Sequence, residues 1–360
     1  MTSIIILSYH TFKYLQKCII SIREHTKIDS YELIVVDNAS QDGSVEWLRQ
    51  QEDVYLICNK ENVGYSKGCN QGAAVAKGDY IIFLNSDTIV TPHWLDNMKI
   101  ALTSNERVGA VGPMADSCPI AQRVSMTFSS HDELICFATH FNKSNPLKWE
   151  RHTVLTGFCM MVRHSLWKQL GGFDERFSPA YFEDDDLSLR IMLLGYDLLV
   201  CKDTFIHHEE KVSLQNEVRN GLLYKNQIKF QKKWWISDLY RECCPDKLRK
   251  YIRERDENGY VVRFGLHIYK NTEIFFYCAL DNGLETNVSQ HFLCKRLNDE
   301  GIRAFIIYDD MLKCNIPLKC EMYRVPVAKS IIDKKNNILI MSDRQRRLIG
   351  RFSEMRIYLI

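Results

Sequence analysis

Apolar and polar positions come in alternating blocks from the first residue. Ser3–Ser8 holds the apolar run Ile4-Ile5-Ile6-Leu7, the mark of a strand buried on both faces. Phe12–His25 follows with Leu15, Cys18, Ile19 and Ile22 at helical spacing. Leu33–Val36 is a second buried strand ending in Asp37. Ser44–Gln51 reads as a helix, Tyr55–Cys58 as a strand, Tyr65–Ala76 as a helix and Tyr80–Leu84 as another buried strand. This β-α-β-α order predicts an α/β fold, a parallel sheet covered by helices on both faces. Ligands on such sheets gather at the carboxyl ends of strands. Asp37 and Asp87 both stand just past such ends, although the end of a core strand requires no carboxylate.

After Pro113 the pattern loosens, and polar sequence of low periodicity runs to about Arg151. Regular structure resumes with a strand over Val154–Val162, a helix over Ser165–Leu170, a Gly171-Gly172 turn and the loop Phe173–Phe182. A helix from about Asp184 to Leu194, a strand at Leu198–Cys201 and a basic, aromatic helix over Val218–Trp235 complete this part. Residues 241–260 are charged and read as a helical linker. A strand at Glu273–Leu280, a turn at Asp281–Gly283, a helix over Val288–Asn298 and a strand at Ala304–Tyr308 begin a second βαβ unit with at most three or four strands. The expected organisation is a first domain over 1–240, a charged helical linker over 241–262, and a partial Rossmann-like βαβ domain over 263–360.

A chain of 360 residues exceeds what one core usually organises, which agrees with two domains. The net charge of +2 is uneven: residues 241–360 carry 22 Lys+Arg against 16 Asp+Glu, the first 240 carry 25 against 29. That split supports the boundary near 240. No apolar run reaches the ~18 residues of a membrane span, and Met1–Leu7 lacks the basic start of a signal peptide. The thirteen cysteines form no CxxC pair and are scattered, often inside apolar strands (Cys159, Cys201, Cys278), as reduced thiols of a cytoplasmic protein are. Neither a zinc site nor a nucleic-acid partner is expected.

Glycines at 64, 68 and 72 fit neither the dinucleotide fingerprint nor the phosphate loop, and serve equally as a helix start and close helix–sheet packing. Asn85-Ser86-Asp87 is a carboxylate at a rigid sheet edge or a strand-ending Asx-turn. Glu183-Asp184-Asp185-Asp186 is the most charged point of the first domain; the positive end of a helix dipole accounts for part of it. His207 and His208 form a late doublet.

The segments "SIIILSYH", "LIVVDNASQDGS", "NKENVGYSKGCNQGAAVAKGDYIIFLNSDTIV", "LTGFCMMVRHSLWKQLGGFDERF", "YFEDDDLSLRIMLLGYDLLV" and "IHHEEKVS" occur in this order. Together they resemble the family 2 glycosyltransferases, inverting enzymes on a GT-A fold, over roughly residues 1–235. The resemblance implies that Asp37 accepts a hydrogen bond from the nucleotide base, with Ser8 and Tyr9 beside it. It places Asn62, Gly64, Gly68 and Asn70 beneath the nucleoside. Asn85-Ser86-Asp87 resembles the DXD signature, with Asn85 for the first Asp, so Asp87 and His208 become ligands of Mn²⁺ or Mg²⁺. Glu183-Asp184 resembles the motif that carries the base; Asp184 is the base, with Asp186 the alternative. Thr156 and Gly157 wall the donor sugar, and Tyr181 and Phe182 face the acceptor.

The implied partners are a nucleotide-sugar donor, UDP first and dTDP next, and a glycan or lipid-linked acceptor. The basic, aromatic helix end (Lys225, Lys229, Lys232, Lys233, Trp234 and Trp235) reads as a solvated face or as a peripheral contact with the inner face of the membrane. Residues 263–360 resemble, more weakly, the N-terminal part of a GT-B glycosyltransferase. That resemblance stops before a donor-binding half and points to a further C-terminal glycosyltransferase domain or to a remnant of one. The rival function is a non-catalytic nucleotide- or glycan-binding module supporting a second transferase, which Asn85 favours. A sugar nucleotidyltransferase needs a glycine-rich basic loop near the N-terminus, and Ser8–Lys13 is not one.

Overall fold

The structure, a computed structural model, describes residues 1–209, 216–234, 241, 244–258, 260–263, 266–269, 273–278, 294–295, 297–298, 303–308, 322–324, 338–341 and 356–359. It divides into two compact units: Met1–Asn226 with Leu239–Arg249, and Gln227–Asp238 with Lys250–Ile360.

The first unit is built on nine strands: β1 (Thr2–Ser8), β2 (Tyr31–Asp37), β3 (Val54–Cys58), β4 (Tyr80–Asn85), β5 (Thr88–Ile89), β6 (Val108–Ala115), β7 (Trp149–His152), β8 (Cys159–Arg163) and β9 (Asp197–His208). Their order is β3-β2-β1-β4-β8-β6-β9-β5, with β7 also on β9. The β3-β2-β1-β4 half is parallel. β8 then runs antiparallel between β4 and β6, and β6 pairs parallel with β9. The helices are α1 (Phe12–His25), α2 (Ser44–Leu48), α3 (Tyr65–Val75), α4 (Trp94–Thr103), α5 (His131–Phe141), α6 (His164–Leu170), α7 (Glu183–Leu193), α8 (Asn216–Trp234) and α9 (Pro245–Asn258).

Alternation along each strand splits the core in two. Ile4, Ile6, Val35 and Ile82 pack with Leu15 and Ile19 of α1 and Trp94 and Met98 of α4. Ile5, Ile34, Ile81 and Phe83 face the other way, onto Ala73 of α3, Trp167 of α6 and Ile191 of α7. Coverage on both faces is why these strands read as unbroken apolar runs.

The stretch expected to be loose is not. α5 lies within it and β6 ends two residues beyond Pro113. Gly109, Gly112 and Pro113 mask β6 in the sequence, and Gly109 is there because a Cβ would stand 2.6 Å from Ile191 Cγ2 and 2.7 Å from Tyr196 Cβ. The expected strand at Leu198–Cys201 is the start of the twelve-residue β9, which runs on to His208. The strand expected over Val154–Val162 begins only at Cys159.

The chain does not divide at a single cut near 240. Residues 239–249 belong to the first unit. Arg241 gives a two-pronged hydrogen bond to buried Asp185 at 2.8 and 2.6 Å, and Asp246 accepts from Arg151 at 2.8 and 3.0 Å. The segment expected as linker thus supplies counter-charges to the first unit before α9 ends.

In the second unit β10 (Tyr260–Arg263) and β11 (Leu266–Tyr269) form an antiparallel pair. β12 (Ile274–Cys278), β13 (Ala304–Tyr308), β14 (Met322–Arg324), β15 (Ile338–Met341) and β16 (Arg356–Leu359) form a parallel sheet in the order β14-β13-β12-β15-β16. This is the strand order of a doubly wound nucleotide-binding half. Among the described residues this sheet has five strands, more than the three or four expected, because the last runs are only three or four residues long. Most of the helix expected at Val288–Asn298, and the turn at 281–283, lie outside the described residues.

Candidate functional site at the carboxyl edge of the sheet

Parallel register brings the strand ends together. Ser8 stands opposite Asp37, and Leu7 opposite Asn85. The Asp37 side chain is wholly buried. Its Oδ1 accepts the Ser40 N–H at 2.8 Å, three residues on, while Oδ2 is buried with no hydrogen-bond partner. A buried acceptor of this kind costs free energy unless a donor reaches it. Tyr9, beside it, is exposed, with its ring centroid 4.3 Å from that of His10. Asn62 Oδ1 accepts the Gly64 N–H at 2.9 Å and the Asn38 amide at 3.2 Å, bracing this edge.

The glycines and Asn70 serve packing. Gly64 has φ +85° and lies under the next loop: a Cβ there would stand 2.0 Å from Ser178 Oγ. A Cβ at Gly68 would stand 2.2 Å from Leu7 Cδ1, so α3 rests directly on β1. Asn70 donates to the Phe173 carbonyl and accepts from its N–H, at 3.0 and 2.9 Å. Gly68 and Asn70, expected beneath the nucleoside, hold α3 to the sheet and to the Phe173 loop.

Ser8, Thr11 and Ser86 form a chain of hydroxyls at 3.3 and 2.9 Å that ties β1 to the turn after β4. Past that turn stand Asp87 and, across the short β5–β9 pairing, His208. His208 Nδ1 lies 2.6 Å from the Ser117 carbonyl oxygen. That oxygen only accepts, so Nδ1 carries a proton, and in the neutral ring Nε2 offers a lone pair. Nε2 is 3.4 Å from Asp87 Oδ1 and 3.5 Å from the Asn85 side-chain amide. Two acceptors facing each other suit a cation between them. The imidazole stacks on Phe158, with centroids 5.1 Å apart. Among the described residues no three His, Cys, Asp or Glu side chains form a metal-holding group.

The four acidic residues open α7 but take four different roles. Asp185 pairs with Arg241. Asp186, the alternative base, is wholly buried and ion-paired with Arg190 at 2.8 Å, so its geometry is that of a structural pair. Glu183 is buried with Oε2 lacking a partner; burial, then the charge of Asp184, raises its pKa well above the usual range. Asp184 Oδ2 accepts the Gly157 N–H at 2.8 Å. Burial and then the neighbouring Asp185 charge raise its pKa to about 7. Tyr181 and Phe182, just before the helix, have φ of +77° and +71°, a strained approach for two aromatic residues. Asn226 of α8 fixes that approach by donating to the carbonyls of Phe177, Ala180 and Tyr181 at 2.6, 2.8 and 3.2 Å.

The base candidate and the histidine are linked through one dipeptide. The Gly157 N–H holds Asp184, and its carbonyl accepts from Tyr65 Oη at 3.1 Å. The Phe158 carbonyl accepts from the Asn85 N–H at 2.9 Å, and its ring lies against His208. Thr156 is anchored by its N–H to buried Gln122 at 2.7 Å.

Sequence reasoning missed Asp116, Gln122, Asn226 and Arg241. Asp116 accepts from the His208 N–H at 3.0 Å and sits 2.5 Å from His207 Nδ1. Burial alone would raise its pKa, but the hydrogen bonds from His207 and the His208 backbone hold it below the usual range. This also separates the doublet: His207 faces Asp116, and His208 faces Asp87. None of the four stands in a local motif; each is marked only by the partner it meets.

The class that this fold and edge define is the GT-A glycosyltransferase. The family model described as glycosyl transferase family 2 matches residues 3–170. The O-antigen biosynthesis protein RfbC of Myxococcus xanthus is 29% identical over 205 residues, covering 52% of this chain and 16% of its own. The N-acetylglucosaminyl-diphospho-decaprenol L-rhamnosyltransferase of Mycobacterium tuberculosis is 25% identical over 209 residues, covering 49% of this chain and 66% of its own. The chain thus spans from about a sixth to two thirds of these relatives. A mannosyltransferase of Pyrobaculum calidifontis, solved with GDP-Man and Mn²⁺, shares the fold at a TM-score of 0.51 and 18% identity, over 71% of this chain and 69% of that one. No helix among the described residues is long and apolar enough to cross a membrane.

Proposed function

We infer that the first unit transfers a sugar from a nucleoside diphosphate, UDP first and dTDP next, to a hydroxyl of a glycan or lipid-linked acceptor, with inversion. Asp37 takes the nucleotide base: its unpartnered Oδ2 suits an imide N–H. Asp87 and His208 would hold Mn²⁺ or Mg²⁺, with the diphosphate completing the shell, as is usual where protein ligands are few. A bound divalent cation supplies positive charge against the leaving diphosphate. Asp184 is the base. The acceptor hydroxyl attacks the anomeric carbon, the bond from that carbon to the diphosphate oxygen breaks, and the hydroxyl proton passes to Asp184. Tyr181 and Phe182 border the acceptor. The exposed Lys225, Lys232 and Lys233 of α8 suit an anionic membrane surface carrying a lipid-linked acceptor.

The observation that carries this reading is the Gly157–Phe158 bridge between a carboxylate of raised pKa and the Asp87–His208 pair. The test is nucleotide release from a panel of UDP-, dTDP- and GDP-sugars with Mn²⁺ or Mg²⁺, beside thermal shifts with the free nucleoside diphosphates. Release and a shift are expected with one nucleotide class. Absence of any shift with every nucleoside diphosphate plus metal overturns the assignment.

A further inference from the structure

A cavity of about 470 Å³ lies on the α1 side of the β5–β9 pairing, outside the Asp37–Asp184 edge. Its volume falls within the ~300–1,000 Å³ usual for small-molecule sites. One wall is a single face of α1, since Lys17, Ile20 and Glu24 recur at helical spacing. The facing wall is the entry to α5, with Phe128, His131 and Leu134, and the floor is Ile89 and Glu209.

The lining mixes two chemistries. Ile20, Ile89, Phe128 and Leu134 give a patch of aliphatic and aromatic surface. Lys17 and His131 bring donors, and Glu24 and Glu209 bring acceptors. Lys17 and Glu209 are 4.0 Å apart, so neither sign dominates the lining. A free anion or cation would meet like charge as well as opposite charge there. A neutral polyol meets neither difficulty: its hydroxyls both donate and accept, and the C–H face of its ring packs on Phe128 and Ile20. Ile20, an apolar side chain on the outer face of α1, is 46% exposed, which a rigid core does not ask of it.

We propose that this cavity is a saccharide-binding subsite, separate from the donor edge, that holds a sugar unit of a neutral glycan chain. It shares a ribbon with the presumed cation ligands. The Glu209 N–H donates to the Asp87 carbonyl at 3.0 Å, and Ile89 pairs with His207. A glycan seated here therefore leans on the same two strands that carry Asp87 and His208. The proposal extends the reading of the protein as a glycan-acting transferase, but its binding step does not depend on that reading.

The test uses the full chain on an array of neutral oligosaccharides in the presence of EDTA, which silences cation-dependent donor binding. Ile20→Trp blocks the cavity from an exposed helix position, and Glu24→Ala removes an acceptor at its rim; melting temperatures of both check the fold. Wild type should bind a subset of the glycans, Ile20→Trp should lose at least about tenfold in affinity and Glu24→Ala a smaller part, each about 1.4 kcal/mol per decade. Asp37→Ala, which addresses the nucleotide alone, should bind the same glycans as wild type. Binding by no glycan, or equal binding by wild type and a folded Ile20→Trp, overturns the subsite. Loss of array binding only in Asp37→Ala assigns the glycan to the donor edge and overturns it too. Failure of nucleotide release with array binding intact sinks the transferase reading and leaves this one standing.

Discussion

Strands β1, β2 and β4 lie parallel and in register, and backbone pairing alone sets Asp37 beside Ser8 and Asn85 beside Leu7. The half built on β6, β8 and β9 mixes parallel and antiparallel pairing, with register shifts between β6 and β9. It carries Asp184 on α7 and His208 at the end of β9, each held by distant residues: Asp116 and Ser117 orient the histidine, Gly157 holds the aspartate, and Asn226 fixes the strained approach to α7. The half proposed to take the donor is therefore set by a ladder that tolerates side-chain changes. The half proposed to carry the base and the cation is set by side chains that meet across long sequence separations, and single substitutions there should act on rate.

The largest effect should come from Asp184→Asn. It keeps the shape and a hydrogen-bonding side chain but cannot take a proton, so transfer should fall about 10²–10⁴-fold. Donor affinity, measured by calorimetry, should stay near wild type. Near-normal transfer would remove the base from this position.

Asp37→Ala should do the reverse. A hydrogen bond to a charged group contributes about 1.5–3 kcal/mol, so nucleotide affinity should weaken by roughly 10–100-fold. Turnover at saturating donor should stay within a few-fold of wild type. A variant that binds as wild type would sever the sheet edge from the nucleotide.

The pH profile separates the halves further. A base must be ionised, and the Asp184 pKa is raised to about 7. Transfer should drop about tenfold for each unit below that value, while donor binding should not follow the same curve. A rate flat from pH 5 to 8 contradicts this assignment.

Arg241→Ala tests whether residues beyond 240 serve the first unit. It strips the partner from buried Asp185 and should cost about 1–3 kcal/mol, read as a lower melting temperature. An unchanged melting temperature would restore the simpler boundary near 240.

Glu183→Gln should have the smallest effect, and its sign is informative. The folded chain holds a proton on Glu183 well above the pKa of the unfolded chain. Wild-type stability therefore falls as pH rises from the unfolded value toward the folded one, and the glutamine variant lacks that loss. The variant should gain on wild type in melting temperature between pH 5 and pH 8. A difference that does not vary with pH would mean that the carboxyl is ionised in the folded protein.

Residues 1–90 were legible because their signal is local. Apolar runs of four or five residues, helical spacing in α1 and polar residues past each strand specify a parallel sheet and the edge where ligands meet it. The acidic start of α7 and the late histidine doublet were visible for the same reason. Which acidic residue faces Gly157, which histidine turns to Asp87, and which part of 239–249 returns to Asp185 and Arg151 were not visible. The α7 carboxylates are consecutive and alike in sequence; only burial, the Arg190 and Arg241 side chains and the Gly157 N–H make them different groups. Gly64, Gly68 and Asn70 carry the same lesson: they match a ligand-binding pattern, yet close packing against Ser178, Leu7 and Phe173 gives them their place. Periodicity fixes which elements form and which faces they bury. The protonation and partner of each polar group depend on contacts dozens of residues apart, and those exist only once the chain has folded.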